Sequence, residues 1–337
     1  MTTFVSRPFI IGATATALVS CLAGYAWHEQ NRPPVLEVYI FALKSGRSMF
    51  IRTPDDRRIL VDGGGNAEII RHITNILPFY SRGIDVVVAT NTDGKNVSGL
   101  IDVIERYEVE RAYIPRFTLE NTGTTSSTDD IYRTFLGELG DLHIQTHEVA
   151  AGDQIPLSGS DDGSSVQRVT AQVLFPVPAD MFEYSKASAP ELLFSLSYGK
   201  TSILFMGDAS KKVQKLLASS SAVISGSIGD TDVLIISHSA LPANMSSGFI
   251  NIARPRALIF KKTVTKSSTD TSKSAKSKST SITSSISKDG KKITPKKKIV
   301  ADPLVAILDE DRFNLKEAGT VKIVSDGEGV IISGNIE

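Results

Sequence analysis

Cysteine is nearly absent: Cys21 is the only one in 337 residues. That excludes an intramolecular disulfide framework and any cysteine-cluster zinc site. Histidine is scarce, with five residues. There is no excess of either charge, 37 Lys+Arg against 37 Asp+Glu, so a uniformly basic nucleic-acid binder is excluded. No G-x-S-x-G elbow occurs, so Ser237 and Ser239 beside His238 do not make a serine hydrolase. Gly63-Gly64-Gly65 is followed by no Gly-Lys-Ser/Thr and is not a phosphate loop. What is present, 41% hydrophobic and 22% charged residues, is the composition of one large globular domain or two small ones. The zero net charge is an average over two regions. Residues 261–298 hold 12 Lys and only Asp270 and Asp289, leaving 25 basic against 35 acidic residues, net −10, elsewhere.

After a short tail (1–8), residues 9–27 carry no charge and end on Trp27. Nineteen helical residues reach roughly 28 Å, about the hydrocarbon thickness of a bilayer. A transmembrane signal anchor is expected there, followed by a linker at 28–34. Two alternatives stay open: a lipoprotein signal, because Leu18-Val19-Ser20-Cys21 has lipobox form, and a cleaved signal peptide. All three place the globular part on the extracytoplasmic side of the cytoplasmic membrane, and the anchor reading makes the chain a single-pass protein.

Beyond the linker, strands and helices alternate. Residues 36–42, 49–52 and 58–61 read as strands, with Thr53-Pro54-Asp55-Asp56 as a turn. Apolar spacing predicts helices over 66–77, 98–107, 130–140 and 210–218. Short apolar runs at 85–89, 110–114, 232–237 and 257–260 predict buried strands. Residues 166–175 and a 192–206 hairpin split at Tyr198-Gly199-Lys200 add more, and 319–335 reads as a terminal hairpin. Residues 262–298, rich in Lys, Ser and Thr, lack apolar periodicity and are expected to be a disordered insertion. It reads either as a solvated loop or as a basic arm for DNA or an anionic surface. Order is expected again at Pro303–Ile307. The domain is thus 35–261 and 299–337.

This order of segments resembles the metallo-β-lactamase-like domain at the C-terminal end of ComEC-type DNA-uptake proteins and their stand-alone membrane-anchored relatives. Val35 to Asp62 is similar to that family's opening strand, turn, "TPDG" hairpin and "DGG" turn. Ile84 to Gly99 is similar to its metal-binding loop, and Leu196 to Asp208 to its "L-x-Y-G…GDA" hairpin. Val233 to Ser239 is similar to its strand ending in a His-His turn, and Ala318-Gly319 through Ile332 to its closing hairpin. The resemblance implies an α/β (α+β) fold, a four-layer αβ/βα sandwich of two mixed sheets flanked by helices, here preceded by one transmembrane helix.

It also implies a metal-dependent hydrolase, and here the chemistry departs. The family's loop, His-x-(His/Asp)-x-Asp-His, holds two metals that activate water. This chain has Asn91-Thr92-Asp93-Gly94-Lys95-Asn96 in its place. Asn91 and Asn96 stand at His positions, Lys95 at an Asp position, and Ser239 at the second His of the pair begun by His238. Lys44-Ser45-Gly46-Arg47 stands where the family has Gly-Gln-Gly-Asp. Asp93, Asp208 and His238 are the ligands left if any metal binds. The expectation is a catalytically inactive binding or scaffolding module without cofactor. The alternatives are a phosphodiesterase or nuclease using zinc or manganese at a rebuilt site, or a DNA-binding accessory using the Lys-rich arm. His28 is placed at the membrane edge, His72 on a helix surface, and His143 and His147 in strand or surface packing. Two placements of Lys95 stay open: turned inward to bond Asp208, with Asp93 as a further partner, in place of the metals, relieving the repulsion of two close carboxylates, or extended into solvent at the loop tip.

Overall fold

Alternation along the strands decides which side of each sheet faces inward. The computed structural model describes residues 34–78, 80–116, 127–158, 168–177, 191–219, 228–237, 245–261 and 312–334, together with Ser20 and Gly24. In the first half, β1 (Leu36–Ile40), β2 (Met49–Arg52) and β3 (Arg58–Val61) form an antiparallel meander. β4 (Gly83–Val88), β5 (Glu108–Pro115) and β6 (Gln145–Val149) add in parallel, through α1 (Glu68–Ile76), α2 (Gly94–Ile104) and α3 (Ser127–Asp141).

The second half repeats the plan. β7 (Gln154–Pro156), β8 (Val169–Phe175), β9 (Leu193–Tyr198) and β10 (Thr201–Phe205) are antiparallel. β11 (Val233–Ile236), β12 (Ala257–Phe260) and β13 (Arg312–Asn314) then follow in parallel. α4 (Lys211–Ser219) connects β10 to β11, and α5 (Ser247–Ala253) connects β11 to β12. After α6 (Leu315–Ala318), the hairpin of β14 (Val321–Ser325) and β15 (Val330–Ser333) returns to pair β14 with β1. Two mixed sheets result, ordered β15-β14-β1-β2-β3-β4-β5-β6 and β13-β12-β11-β10-β9-β8-β7.

Val38, Ile59, Val61 and Val88 from one sheet meet Phe194, Ile203, Phe205 and Ile235 from the other in a single core between them. The intervening residues point outward under helices. Leu60 and Val87 lie beneath Ile69, Leu100 and Phe135, while Leu204 and Leu234 lie beneath Val213 and Phe249. Each such buried side chain contributes about 1.5–3 kcal/mol over leaving it in water, so both faces of both sheets are used. The layers are therefore helix, sheet, sheet, helix, as the resemblance implies.

Boundaries differ in one place that matters. The helix predicted over 98–107 begins at Gly94 and ends at Ile104, because Asp93 is its N-cap and accepts a bond from the Lys95 amide at 3.1 Å. Periodicity registers apolar residues and misses the polar first turn. The terminal hairpin forms as β14–β15, inside its predicted span. The predicted span 9–27 lies outside the described residues except for Ser20 and Gly24, and 262–298 and Pro303–Ile307 lie outside them altogether. No helix among the described residues is long and apolar enough to cross a membrane.

Candidate functional site

The C-terminal ends of parallel strands are where α/β sheets place their ligands. Here the ends of β3 and β4 in one sheet meet those of β10 and β11 in the other. Asp62 follows β3 directly. Its backbone is left-handed (φ 57°), and its amide donates to the Val88 carbonyl at 2.8 Å. Its fully buried carboxylate accepts from the Thr90 amide (2.8 Å), the Thr90 hydroxyl (2.6 Å) and Arg47 Nε (2.8 Å).

Arg47 comes from the β1–β2 turn. That turn presses on α2: a Cβ at Gly46 (φ +70°) would sit 1.7 Å from the Lys95 carbonyl oxygen, so only glycine fits. The Arg47 amide donates to Asn96 Oδ1 at 3.2 Å. The guanidinium then crosses to the second sheet. Nη2 donates to the Thr90 hydroxyl at 2.6 Å and forms an ion pair with Glu191 Oε1. Nη1 lies 3.5 Å from Asp208 Oδ2. The Phe205 ring packs against the guanidinium, 5.5 Å from centroid to Cζ. Glu191 precedes β9, and its Oε2 accepts the Asp208 amide at 2.8 Å. Gly207 makes that approach possible, since a Cβ there would meet Glu191 Oε1 at 1.8 Å.

Burial and charge set the proton affinities. Burial pushes Glu191 up to about 7; Arg47 opposes this and Asp208 adds to it. Burial likewise raises Asp62 against the pull of Arg47 and Thr90. For Arg47 burial acts downward, but Glu191, Asp62 and Asp208 outweigh it and hold the guanidinium above its ordinary value. It is a permanent cation. Beside it opens a cavity of about 570 Å³, lined by Ile40, Phe205 and Ile235 in its apolar part and by Lys44, Asp208 and Lys261 among its polar groups. Lys261, at the end of β12, donates to the carbonyls of Leu43 (2.8 Å) and Gly46 (2.7 Å), tying that strand to the turn that carries Arg47.

Of the partners expected for Lys95, the geometry gives it Asp93 and not Asp208, at the exposed loop tip that was the other expectation. Its ammonium bonds Asp93 Oδ2 at 3.0 Å near the surface, with the two side chains 50% and 38% exposed. The cation that reaches Asp208 is Arg47. Lys95 follows the helix start, where Asp93 is within easy reach and water solvates the pair. Asn96 Nδ2 donates to Asn91 Oδ1 at 3.1 Å, and the same oxygen accepts the Asp93 amide. His238 and Ser239 lie outside the described residues. His72 is also corrected: expected on the helix surface, it is half-buried against the Phe41 ring at 4.9 Å, and burial lowers its pKa. His147 stacks on Tyr113 at 5.2 Å.

Sequence reasoning passed over Glu191 altogether and recorded Arg47 only as a departure from a pattern. The available signal was the exchange itself, a cation where the resembled family carries a carboxylate.

A catalytic zinc or manganese needs about three protein ligands and an open position. Asp93 spends one oxygen on the helix cap and the other on Lys95. Asp208 is paired with Arg47, and among the described residues no group of three His, Cys, Asp or Glu is placed to hold a metal ion. The described residues do not fit such a metal.

No protein-family model matches the chain, and no curated protein does. Solved structures do. The chain is similar to a mutant CmlA β-hydroxylase at 16% identity and TM-score 0.42, over 67% of this chain and 45% of that one. It is similar to a long-form RNase Z from yeast at 12% identity and TM-score 0.41, over 71% and 39%. It is similar to MEM-A1, a subclass B3 metallo-β-lactamase isolated from a soil metagenome library, at 12% identity and TM-score 0.37, over 60% and 76%. The chain thus spans less than half of the hydroxylase and of the RNase Z. TM-scores this low decide neither family nor activity.

Proposed function

We propose that this chain is a metallo-β-lactamase-fold protein of the ComEC-related kind, acting as a ligand-binding module and not as a hydrolase. The observation that carries the reading is the cavity of about 570 Å³ beside a guanidinium that closes the carboxylate cluster. Small-molecule sites have volumes of roughly 300–1,000 Å³ and combine apolar walls with a few convergent polar groups. The helix–sheet–sheet–helix layering with a repeated half, and the order of segments, support the fold. The commitment of Asp93 and Asp208 to cap and ion pairs supports the absence of hydrolysis.

The test is hydrolysis of bis(p-nitrophenyl) phosphate by the purified full-length chain with added zinc or manganese. The expected result is a rate equal to the metal blank, unchanged by Asp208→Ala or His238→Ala. Turnover abolished by those substitutions establishes the hydrolase alternative, which Asp208 favours by remaining 37% exposed at the cavity wall.

The proposal includes an anchor at residues 9–27, with the domain on the extracytoplasmic side of the cytoplasmic membrane. Partition of the full chain into the membrane fraction tests it. The Lys-rich stretch 262–298 is proposed as a contact for DNA or an anionic surface. Binding that weakens steeply with salt and is lost on its deletion is the expected signature.

A further inference from the structure

The cavity beside Arg47 has walls of two kinds. Ile40 and Met49 from the first sheet and Phe205 and Ile235 from the second belong to the core between the sheets, and they also face the cavity. It is an opening of that core, with apolar surface to offer. The other wall is the 43–47 turn with the end of β12 laid against it, and it carries Lys44 and Lys261. We infer that the cavity takes a small amphiphilic anion, a carboxylate or phosphate group on an apolar body, with Lys261 and Lys44 holding the charged end. The inference rests on the ligand-binding reading above and names its ligand class.

The charges on the wall decide the sign. Its ionisable side chains are Lys44, Arg47, Lys95 and Lys261 against Asp62 and Asp208. Asp62 is fully buried, and its carboxylate is closed on Arg47 and Thr90. Lys95 is turned to Asp93. Lys44 and Lys261 then remain, set against Asp208, which already lies 3.5 Å from Arg47. A cationic ligand would find only that shared carboxylate and would meet the two ammonium groups on the way to it. An anionic ligand finds both lysines.

Lys261 is the stronger of the two. It is half-buried, and its ammonium spends two of its three N–H donors on the neutral carbonyls of Leu43 and Gly46. Among the described residues no carboxylate forms an ion pair with it. Burial pushes it below the ordinary lysine value; Glu68 and Asp208 oppose this, and Lys316 and Lys95 add to it. It is a cation short of an anion, with one donor left for it. A bound carboxylate or phosphate supplies that charge where water is partly excluded, so the bond is stronger than the same pair on an open surface. Lys44, exposed at the rim, adds a second and weaker contact.

Calorimetric titration of the purified full-length chain, with the detergent blank subtracted, tests the inference with probes that share one apolar body. These are 4-phenylbutyrate and 4-phenylbutyl phosphate as anions, 4-phenylbutanol as the neutral form and 4-phenylbutylamine as the cation. At least one anion is expected to bind about tenfold more tightly than the alcohol, and the amine more weakly than the alcohol. The tighter of the two anions names the head group. Acetate and inorganic phosphate, heads without the body, are expected to bind at least about tenfold more weakly than that anion. Lys261→Gln, which keeps a donor for the turn carbonyls and loses the charge, is expected to weaken the anion roughly tenfold and leave the alcohol unchanged. Lys44→Ala is expected to weaken the anion about threefold, and it carries the test if Lys261→Gln does not fold. An alcohol or amine that binds as tightly as both anions, a bare head that matches its amphiphile, or an anion affinity that neither lysine substitution lowers overturns the inference and leaves the binding reading standing. If no probe binds, both fall.

Discussion

The two halves of the molecule follow one plan and finish it differently. In each, antiparallel strands lead into parallel ones, and the turn after the first parallel strand carries an acid: Asp62 after β3, Asp208 after β10. The first-half acid is sealed, its carboxylate accepting three bonds from Thr90 and Arg47. The second-half acid keeps 37% of its side chain exposed on the cavity and meets Arg47 at 3.5 Å. The same structural position is thus a closed joint in one half and an open wall in the other. A single residue of the first half, Arg47, spans the gap. The site is built from one side and left accessible on the other.

Exchanging the acids one at a time breaks this symmetry most visibly. Asp62→Asn removes the partner of a buried guanidinium and places an amide against donors that need an acceptor. A loss of about 3–5 kcal/mol in urea unfolding is expected. Asp208→Asn removes a longer, part-exposed pair that water can replace, and about 1 kcal/mol or less is expected. Equal losses would mean that the two halves share the load.

Glu191 sharpens the comparison through pH. Its folded pKa of about 7 lies above the ordinary 4.5. Between those values the folded chain keeps a proton that the unfolded chain has released. The stabilisation from this group is therefore full at acid pH and is lost as the pH climbs through about 7. Glu191→Gln is expected to flatten the fall in stability between about pH 4.5 and 7, by about 2 kcal/mol across the window. Identical slopes in the two proteins would show that Glu191 does not titrate there.

The four-layer order was what the family resemblance implied, whereas the strands were legible because period-2 alternation and short apolar runs mark strands covered on both faces, as at 85–89 and 232–237. The start of α2 was not, because Asp93-Gly94-Lys95 is polar and its signal is a cap. The site was half legible. Asp208 could be placed by its turn, but the cation was sought beside Asp93 along the chain. The residue that supplies it lies 161 positions from Asp208 in sequence and meets it only when the two sheets face each other. Glu191 carries no motif; its role comes from Gly207, whose missing Cβ lets the carboxylate reach the Asp208 amide.

The smallest effect concerns the Lys95 pair, which the sequence placed either inside the site or in solvent at the loop tip. If Lys95 held Asp208 and Asp93 together inside the site, Lys95→Met would cost what a broken buried ion pair costs, about 3–5 kcal/mol. The structure puts its ammonium 3.0 Å from Asp93 with half of the lysine side chain in water. Such pairs contribute about 0–1 kcal/mol, since solvent screens the attraction and ordering two side chains opposes it. Lys95→Met is therefore expected to change stability by about 0.5 kcal/mol or less, and less still in high salt. Asp93→Ala is expected to cost more, about 1 kcal/mol, because it removes the cap of α2 along with the ion pair. The order of the two losses separates the roles: a cap is lost with the aspartate alone, whereas an internal counter-cation is lost with the lysine. A Lys95→Met loss larger than that of Asp93→Ala would return the counter-cation role to Lys95 and take it from Arg47.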